Sequence, residues 1–225
     1  GTVTAGLAFG GETATARTAA TEEWTGAGAA VGAWSTSTSI NTGRDQLSGA
    51  GTYTSSLIFG GHGPGYKNET ESWNGSSWTE VNNLNTARSQ GAGFGVDNTA
   101  ALFAGGDTPP HSSLTETWNG SNWTEVNNLN TARQQFASAG TATAALAFGG
   151  EGPPGKFANT ELWNGTNWTE QNDLPTALSD MSGCGTTSNA LSYGGTPPNT
   201  ADTNEWIVGA PIGAWKPCFS SNRIL

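Results

Sequence analysis

Two sets of carboxylates recur along this chain at a nearly constant interval: Glu71, Glu116 and Glu161, then Glu80, Glu125 and Glu170. A pair of acids flanking a glycosidic bond is the machinery of glycoside hydrolysis, so a hydrolase is one reading of the spacing. A catalytic centre is one asymmetric constellation, however. Acids repeated in nearly every copy of a pattern are better explained as structural partners for a recurring arginine or for backbone amides. That arginine exists, at Arg44, Arg88 and Arg133, is replaced by Leu178, and returns in register at Arg223. No catalytic residue is assigned.

The other reactive side chains gather in the segments that differ most between copies, 12–20, 62–68, 107–114, 151–158 and 196–202. His62 and His111 are the only histidines, and no further ligands stand at metal-binding spacing, so neither metal nor cofactor is expected. Tyr66, Lys67, Lys156 and Phe157 can contact sugar or protein, because aromatic rings stack on ligand faces and lysines donate hydrogen bonds. Asp107 and Glu151 begin two of the same segments. Differing loops on one face of a rigid scaffold are a common way to divide binding labour, and drift in unconstrained loops is the competing explanation. Cys184 and Cys218 fit neither a disulfide framework nor a C-x-x-C site. One bridge and two unrelated thiols both remain open.

What positions these residues is a repeat. A double glycine follows an apolar run at Gly10-Gly11, Gly60-Gly61, Gly105-Gly106, Gly149-Gly150 and Gly194-Gly195. All ten tryptophans keep step in five pairs: Trp24 with Trp34, Trp73 with Trp78, Trp118 with Trp123, Trp163 with Trp168, and Trp206 with Trp215. A fixed period of this length marks a unit that buries its apolar face only against copies of itself. Each copy divides into four short strands. Asn74-Gly75, Asn119-Gly120 and Asn164-Gly165 sit between paired tryptophans and predict two-residue hairpins with positive φ. Alternation places Glu161 and Trp163 on one face, with Trp168 opposite the Glu161 region. The reading is an all-β, five-bladed propeller with four antiparallel strands per blade. A solenoid with four strands per rung is the lesser alternative.

The apolar strand ending in Gly-Gly, the downstream tryptophans and the arginine before the next copy resemble the kelch motif across essentially the whole chain. Trp stands where kelch repeats more often carry Tyr, and the interval to the second Trp is shorter. The phrase Trp-Asn-Gly-x-x-Trp-Thr-Glu-x-Asn-x-Leu-x-Thr-Ala, at 73–87, 118–132 and 163–177, is similar to kelch-like repeat proteins of marine tailed phages and bacteria. The resemblance implies a propeller and an extracellular or virion-associated setting. Two loop histidines cannot supply the copper ligands of a kelch-fold oxidase.

One domain, 1–225, is expected, with repeats near 1–43, 44–87, 88–132, 133–177 and 178–225. The register of Arg223 implies that the C-terminal tail supplies the innermost strand of the first blade and closes the ring, and that either this strand is short or the natural chain extends further. Net charge is −10 and the eight basic residues are scattered, which argues against nucleic acid. No apolar run is long enough to span a bilayer and no leader is visible. The longer hairpins of the first and last copies place apolar loops 25–33 and 207–214 side by side, as an assembly surface or as padding over the seam. The expected function is a non-enzymatic recognition or structural module binding a protein or glycan through the loop face. The alternatives are a lectin with one sugar site between successive blades, built from the recurring Trp and Glu, and, behind it, the hydrolase.

Overall fold

The computed structural model describes residues 5–10, 21–25, 33–196, 199–209 and 214–217. Among them every regular element is a β-strand. The first sheet holds β1 (Ala5–Phe9), β2 (Thr21–Thr25) and β3 (Ala33–Ser37). In the second, β4 (Ser48–Thr52) and β5 (Ser55–Phe59) lead through a small hairpin, β6 (His62–Gly63) and β7 (Gly65–Tyr66), to β8 (Thr70–Trp73) and β9 (Trp78–Val81). The third comprises β10 (Ala92–Asp97), β11 (Ala100–Ala104), β12 (Thr115–Trp118) and β13 (Trp123–Val126). The fourth repeats the second: β14 (Ala137–Gly140), β15 (Ala145–Phe148), the hairpin β16 (Glu151–Gly152) and β17 (Gly155–Lys156), then β18 (Thr160–Trp163) and β19 (Trp168–Glu170). The fifth has β20 (Ser182–Gly185), β21 (Asn189–Tyr193), β22 (Thr203–Ile207) and β23 (Ala214–Pro217). In each sheet the strands pair antiparallel in chain order. This all-β arrangement is compatible with a β-propeller. The expected ring closure, Arg223 and most of loops 25–33 and 207–214 lie outside the described residues.

The second strand of each central sheet reads as an unbroken apolar run because both its faces are covered. Leu57, Ile58 and Phe59 in β5, Ala101 to Ala104 in β11, and Ala145 to Phe148 in β15 are all fully buried. What covers them is the neighbouring sheet. One core cluster joins Leu57 and Phe59 of the second sheet to Phe103, Trp118 and Trp123 of the third. Another joins Phe94 and Leu102 of the third to Trp163 and Trp168 of the fourth, and a further one joins Leu146 and Phe148 of the fourth to Ala190 and Trp206 of the fifth.

The tryptophan pairs hold each hairpin and tie it to the sheet before. Trp73 and Trp78 face each other with ring centroids 5.2 Å apart, Trp118 and Trp123 5.5 Å, and Trp163 and Trp168 5.4 Å. The first indole N–H of each pair donates to a carbonyl of its own sheet, as Trp118 does to Asn98 at 2.9 Å. The second reaches back one sheet: Trp78 donates to Thr21 Oγ1 at 3.1 Å, Trp123 to Thr70 at 2.9 Å and Trp168 to Thr115 at 3.1 Å. Trp24 is placed by its pairing with Trp34, and Trp215 by its pairing with Trp206.

Two local expectations are corrected. Trp168 lies opposite Trp163, and Glu161 opposite Glu170. The hairpin loops hold four residues each, 74–77, 119–122 and 164–167, where two were expected, and their asparagines do not adopt positive φ; among the turn residues only Gly75, Gly120 and Gly165 do. The asparagine acts through its side chain, Asn119 Oδ1 accepting from the N–H groups of Ser121 and Asn122 at 3.0 and 2.9 Å. This is the Asx geometry, in which a short polar side chain imitates a backbone turn.

The double glycine has a steric cause. A Cβ on Gly105 would sit 2.7 Å from the Arg133 carbonyl oxygen of the following repeat, and one on Gly106 would sit 2.5 Å from the Ser89 oxygen. Both residues also have positive φ, so any side chain there is strained and obstructed together.

Trp118 is 4% exposed. Trp118→Ala is expected to cost roughly 3–5 kcal/mol, the range for large-to-small changes in a core, measured by urea unfolding. A loss below about 1 kcal/mol would contradict the packing described.

Candidate functional site

The recurring Arg and Glu meet inside the molecule. Arg44 Nη1 donates to Glu71 Oε1 at 2.8 Å, Arg88 Nη1 to Glu116 Oε1, and Arg133 Nη2 to Glu161 Oε1, with every one of these side chains at most 1% exposed. The second carboxylate oxygen is used as well. Asn41, Asn85 and Asn130 each donate to it through both backbone N–H and side-chain Nδ2, at 2.7 to 2.9 Å. Burial lowers the pKa of Arg88 and Arg133 from the ordinary arginine value, opposed by the facing Glu116 and Glu161 charges. The fifth sheet changes all three members together: Pro175 stands for the asparagine, Leu178 for the arginine and Asn204 for the glutamate. Leu178 and Asn204 are buried. An apolar or neutral set replaces a buried ion pair without leaving a lone charge.

The variable loops are rooted identically. The residues after Arg44, Arg88, Arg133 and Leu178 form isolated bridges with the residue after the next double glycine: Asp45 with His62, Ser89 with Asp107, Gln134 with Glu151 and Ser179 with Thr196. Each loop closes on the second glycine, whose carbonyl accepts from Lys67, Ser112, Phe157 or Thr200 N–H at 2.8 to 3.1 Å. Four loops of different composition therefore spring from one edge. The segment 11–20 lies outside the described residues.

Contacts between these loops join most of the candidate binding residues. His62 packs edge-on against Tyr66, ring centroids 5.3 Å apart. The Tyr66 hydroxyl donates to Asp107 Oδ2 of the next repeat at 2.6 Å, a bond that raises the tyrosine pKa. Asp107 Oδ1 in turn lies 3.2 Å from His111 Nδ1. His111 and Glu151 both line a cleft of about 420 Å³, together with Gly152, Pro153, Pro154 and Gly155. Beyond it, Lys156 Nζ contacts Glu151 Oε2 at 2.8 Å, Ser179 Oγ, and Asp180 Oδ2 at 3.7 Å. Lys67 and Phe157 serve their own repeats: Lys67 reaches Glu69 at 3.4 Å, and the Phe157 ring centroid lies 5.9 Å from the Arg133 guanidinium carbon. Cys184 is a free, exposed thiol on β20, and Cys218 lies outside the described residues.

One set of residues escaped the sequence reading. Gln46, Gln90, Gln135 and Asp180 all have φ near +55°, at 52°, 57°, 53° and 53°. The N–H of Gln90 donates to the Gln46 carbonyl, Gln135 to Gln90 and Asp180 to Gln135, at 3.0 to 3.1 Å. They line a cavity of about 410 Å³ together with Leu47, Gly91, Phe136 and Met181. Their signal was only a polar residue two places after each repeat-ending position.

No protein-family model matches this chain, and no curated protein is significantly similar to it.

The hydrogen bond from Lys156, with others from Gln134 and Ser179, holds the Glu151 carboxyl below its ordinary 4.5, against the opposing effect of burial. A folded-state pKa below the unfolded value stabilises the fold fully above that unfolded value and loses its effect as pH falls through the folded one. The contribution is under about 1 kcal/mol for so exposed a pair. Glu151→Gln is therefore expected to narrow its stability gap from the parent as pH drops below 4.5, read by thermal unfolding across a pH series. A gap independent of pH would contradict the assignment.

Proposed function

We propose that this chain is a non-enzymatic recognition or structural module, a five-bladed kelch-like propeller whose ring closes through the C-terminal tail, and that it binds a protein or glycan partner through its loop face. The observation that carries the reading is the chain of contacts from His62 through Tyr66, Asp107 and the His111–Glu151 cleft to Lys156. It makes a continuous surface of unlike residues on identical roots, where Asp107 orients His111 and Lys156 orients Glu151. The cleft offers hydrogen-bonding side chains beside proline rings, a mixed lining suited to a sugar or an extended peptide. An extracellular or virion-associated setting belongs to the same proposal and rests on the repeated phrase.

The alternatives ask more of the buried residues. Equivalent sugar sites between blades would use the recurring Trp and Glu, yet Trp73, Trp118, Trp163, Glu71, Glu116 and Glu161 are each at most 4% exposed. A hydrolase would need one of these glutamates freed from its arginine.

The test is a glycan array with intact mass under native conditions. Binding of one partner class at one site per chain is expected, lost in His111→Ala with Glu151→Ala and kept in Glu80→Gln. Several equal sites per chain, insensitive to the loop changes, would overturn the reading in favour of the lectin. Turnover of a glycan abolished by one glutamate change would do so in favour of the hydrolase.

A further inference from the structure

Asn-Gly occurs three times in the chain, each time in the turn between paired tryptophans: Asn74-Gly75, Asn119-Gly120 and Asn164-Gly165. The turn requires both residues. Gly75, Gly120 and Gly165 have φ of 95°, 89° and 92°, a conformation that strains any L side chain, and the asparagine supplies an oxygen that two N–H groups share. Asn74 Oδ1 accepts from the N–H groups of Ser76 and Ser77, and Asn164 Oδ1 from those of Thr166 and Asn167, at 2.9 to 3.0 Å, as Asn119 Oδ1 does in its own turn. All three asparagines are exposed.

The same two residues are a reactive pair. When hydroxide removes its proton, the Gly120 nitrogen can attack Asn119 Cγ: the N–Cγ bond forms, the Cγ–Nδ2 bond breaks, ammonia leaves with a proton returned by water, and a second water opens the resulting succinimide to aspartate or isoaspartate. The nucleophile is unguarded. Among the described residues nothing accepts from the Gly75, Gly120 or Gly165 N–H, and glycine has no side chain to hinder its nitrogen. Control therefore lies with the carboxamide, which must turn its carbon toward that nitrogen and so leave the two N–H groups that hold its oxygen.

Each tip is also held from the preceding repeat. Thr38 Oγ1 donates to the Ser76 carbonyl at 3.0 Å. Asn82 Nδ2 donates to the Ser121 carbonyl at 2.9 Å and to Asn122 Oδ1 at 2.8 Å, and Asn127 Nδ2 to the Thr166 carbonyl at 3.0 Å and to Asn167 Oδ1 at 2.7 Å. Ser121, Asn122, Thr166 and Asn167 are the residues whose N–H groups hold Asn119 and Asn164. We propose that Asn119 and Asn164 are sites of spontaneous succinimide modification, and that Asn82 and Asn127 set its rate from one repeat away by fixing the N–H groups that restrain each reactive carboxamide. The two products differ in consequence. Aspartate keeps an oxygen in the turn, whereas isoaspartate adds a methylene to the backbone and shifts the register that pairs Trp118 with Trp123 or Trp163 with Trp168.

The experiment is peptide mapping by mass spectrometry of the full chain, of Asn82→Ala and of Asn127→Ala, kept folded at mildly alkaline pH and sampled over time, with Asn74 as the internal reference. In the parent, Asn119 and Asn164 are expected to convert about 30-fold more slowly than in the same chain unfolded in guanidinium chloride, the weight of two hydrogen bonds that must break first. Asn82→Ala is expected to speed conversion of Asn119 about fivefold, the weight of one hydrogen bond of restraint, with Asn164 and Asn74 unchanged. Asn127→Ala should act on Asn164 alone. Both changed residues are exposed, so neither variant should shift the urea midpoint of the parent. A folded chain that converts as fast as the unfolded one, or faster, would mean that the two N–H groups activate the carbonyl in the manner of an oxyanion hole and would overturn the proposal. An unchanged rate at a variant's own tip, or an equal rise at all three tips, would overturn control by the preceding repeat.

Discussion

None of the central sheets owns a core. Each cluster of buried side chains is made of two successive sheets, so Leu57 and Phe59 are covered by Phe103 and Trp123, and Leu146 and Phe148 by Ala190 and Trp206. The second strand of each sheet must then be apolar on both faces, and the first strand must be small where it meets its counterpart in the next sheet: Gly93 lies so close to Gly49 that a Cβ would meet its carbonyl oxygen at 2.8 Å. Stability in such an array is a sum over neighbour interfaces. Composition follows directly, with glycine and alanine where backbones approach and tryptophan where a hairpin must reach the sheet before.

The buried Arg–Glu–Asn set performs a different task. A lone buried charge is costly, and an ion pair in the interior gains little over an apolar set of the same volume. The fifth sheet, with Pro175, Leu178 and Asn204, illustrates that equivalence within one chain. What the ionic set adds is direction: Glu116 fixes Arg88 and the Asn85 turn together, and so registers the connecting segment against the third strand. Three of the loops inherit this order, since the bridges that root them begin one residue after Arg44, Arg88 and Arg133.

The repeat, the four-strand division and the pairing of tryptophans were legible because each has a mark that recurs at a fixed interval. The structural use of Glu71, Glu116 and Glu161 could be inferred from repetition alone. Less could be read where the cause is not local. Nothing in the sequence marks Gln46, Gln90 and Gln135 as left-handed, because their conformation is imposed by hydrogen bonds from one sheet to the next. Trp34 is 52% exposed while Trp78, Trp123 and Trp168 are 5–6% exposed and each reaches a threonine of the preceding sheet, a difference that the matching positions of the four residues do not announce. The contact from Tyr66 to Asp107 likewise joins two repeats, 41 residues apart, and no pattern within either repeat announces it.

Native-state hydrogen exchange on the amides of β5, β11 and β15 tests most directly the claim that these sheets stand only on one another. If the cores are shared, the slowest amides of the three strands exchange with one common free energy, equal to that of global unfolding. Three distinct values, with one sheet opening while its neighbours keep full protection, would show that each sheet is stable by itself and would contradict the account.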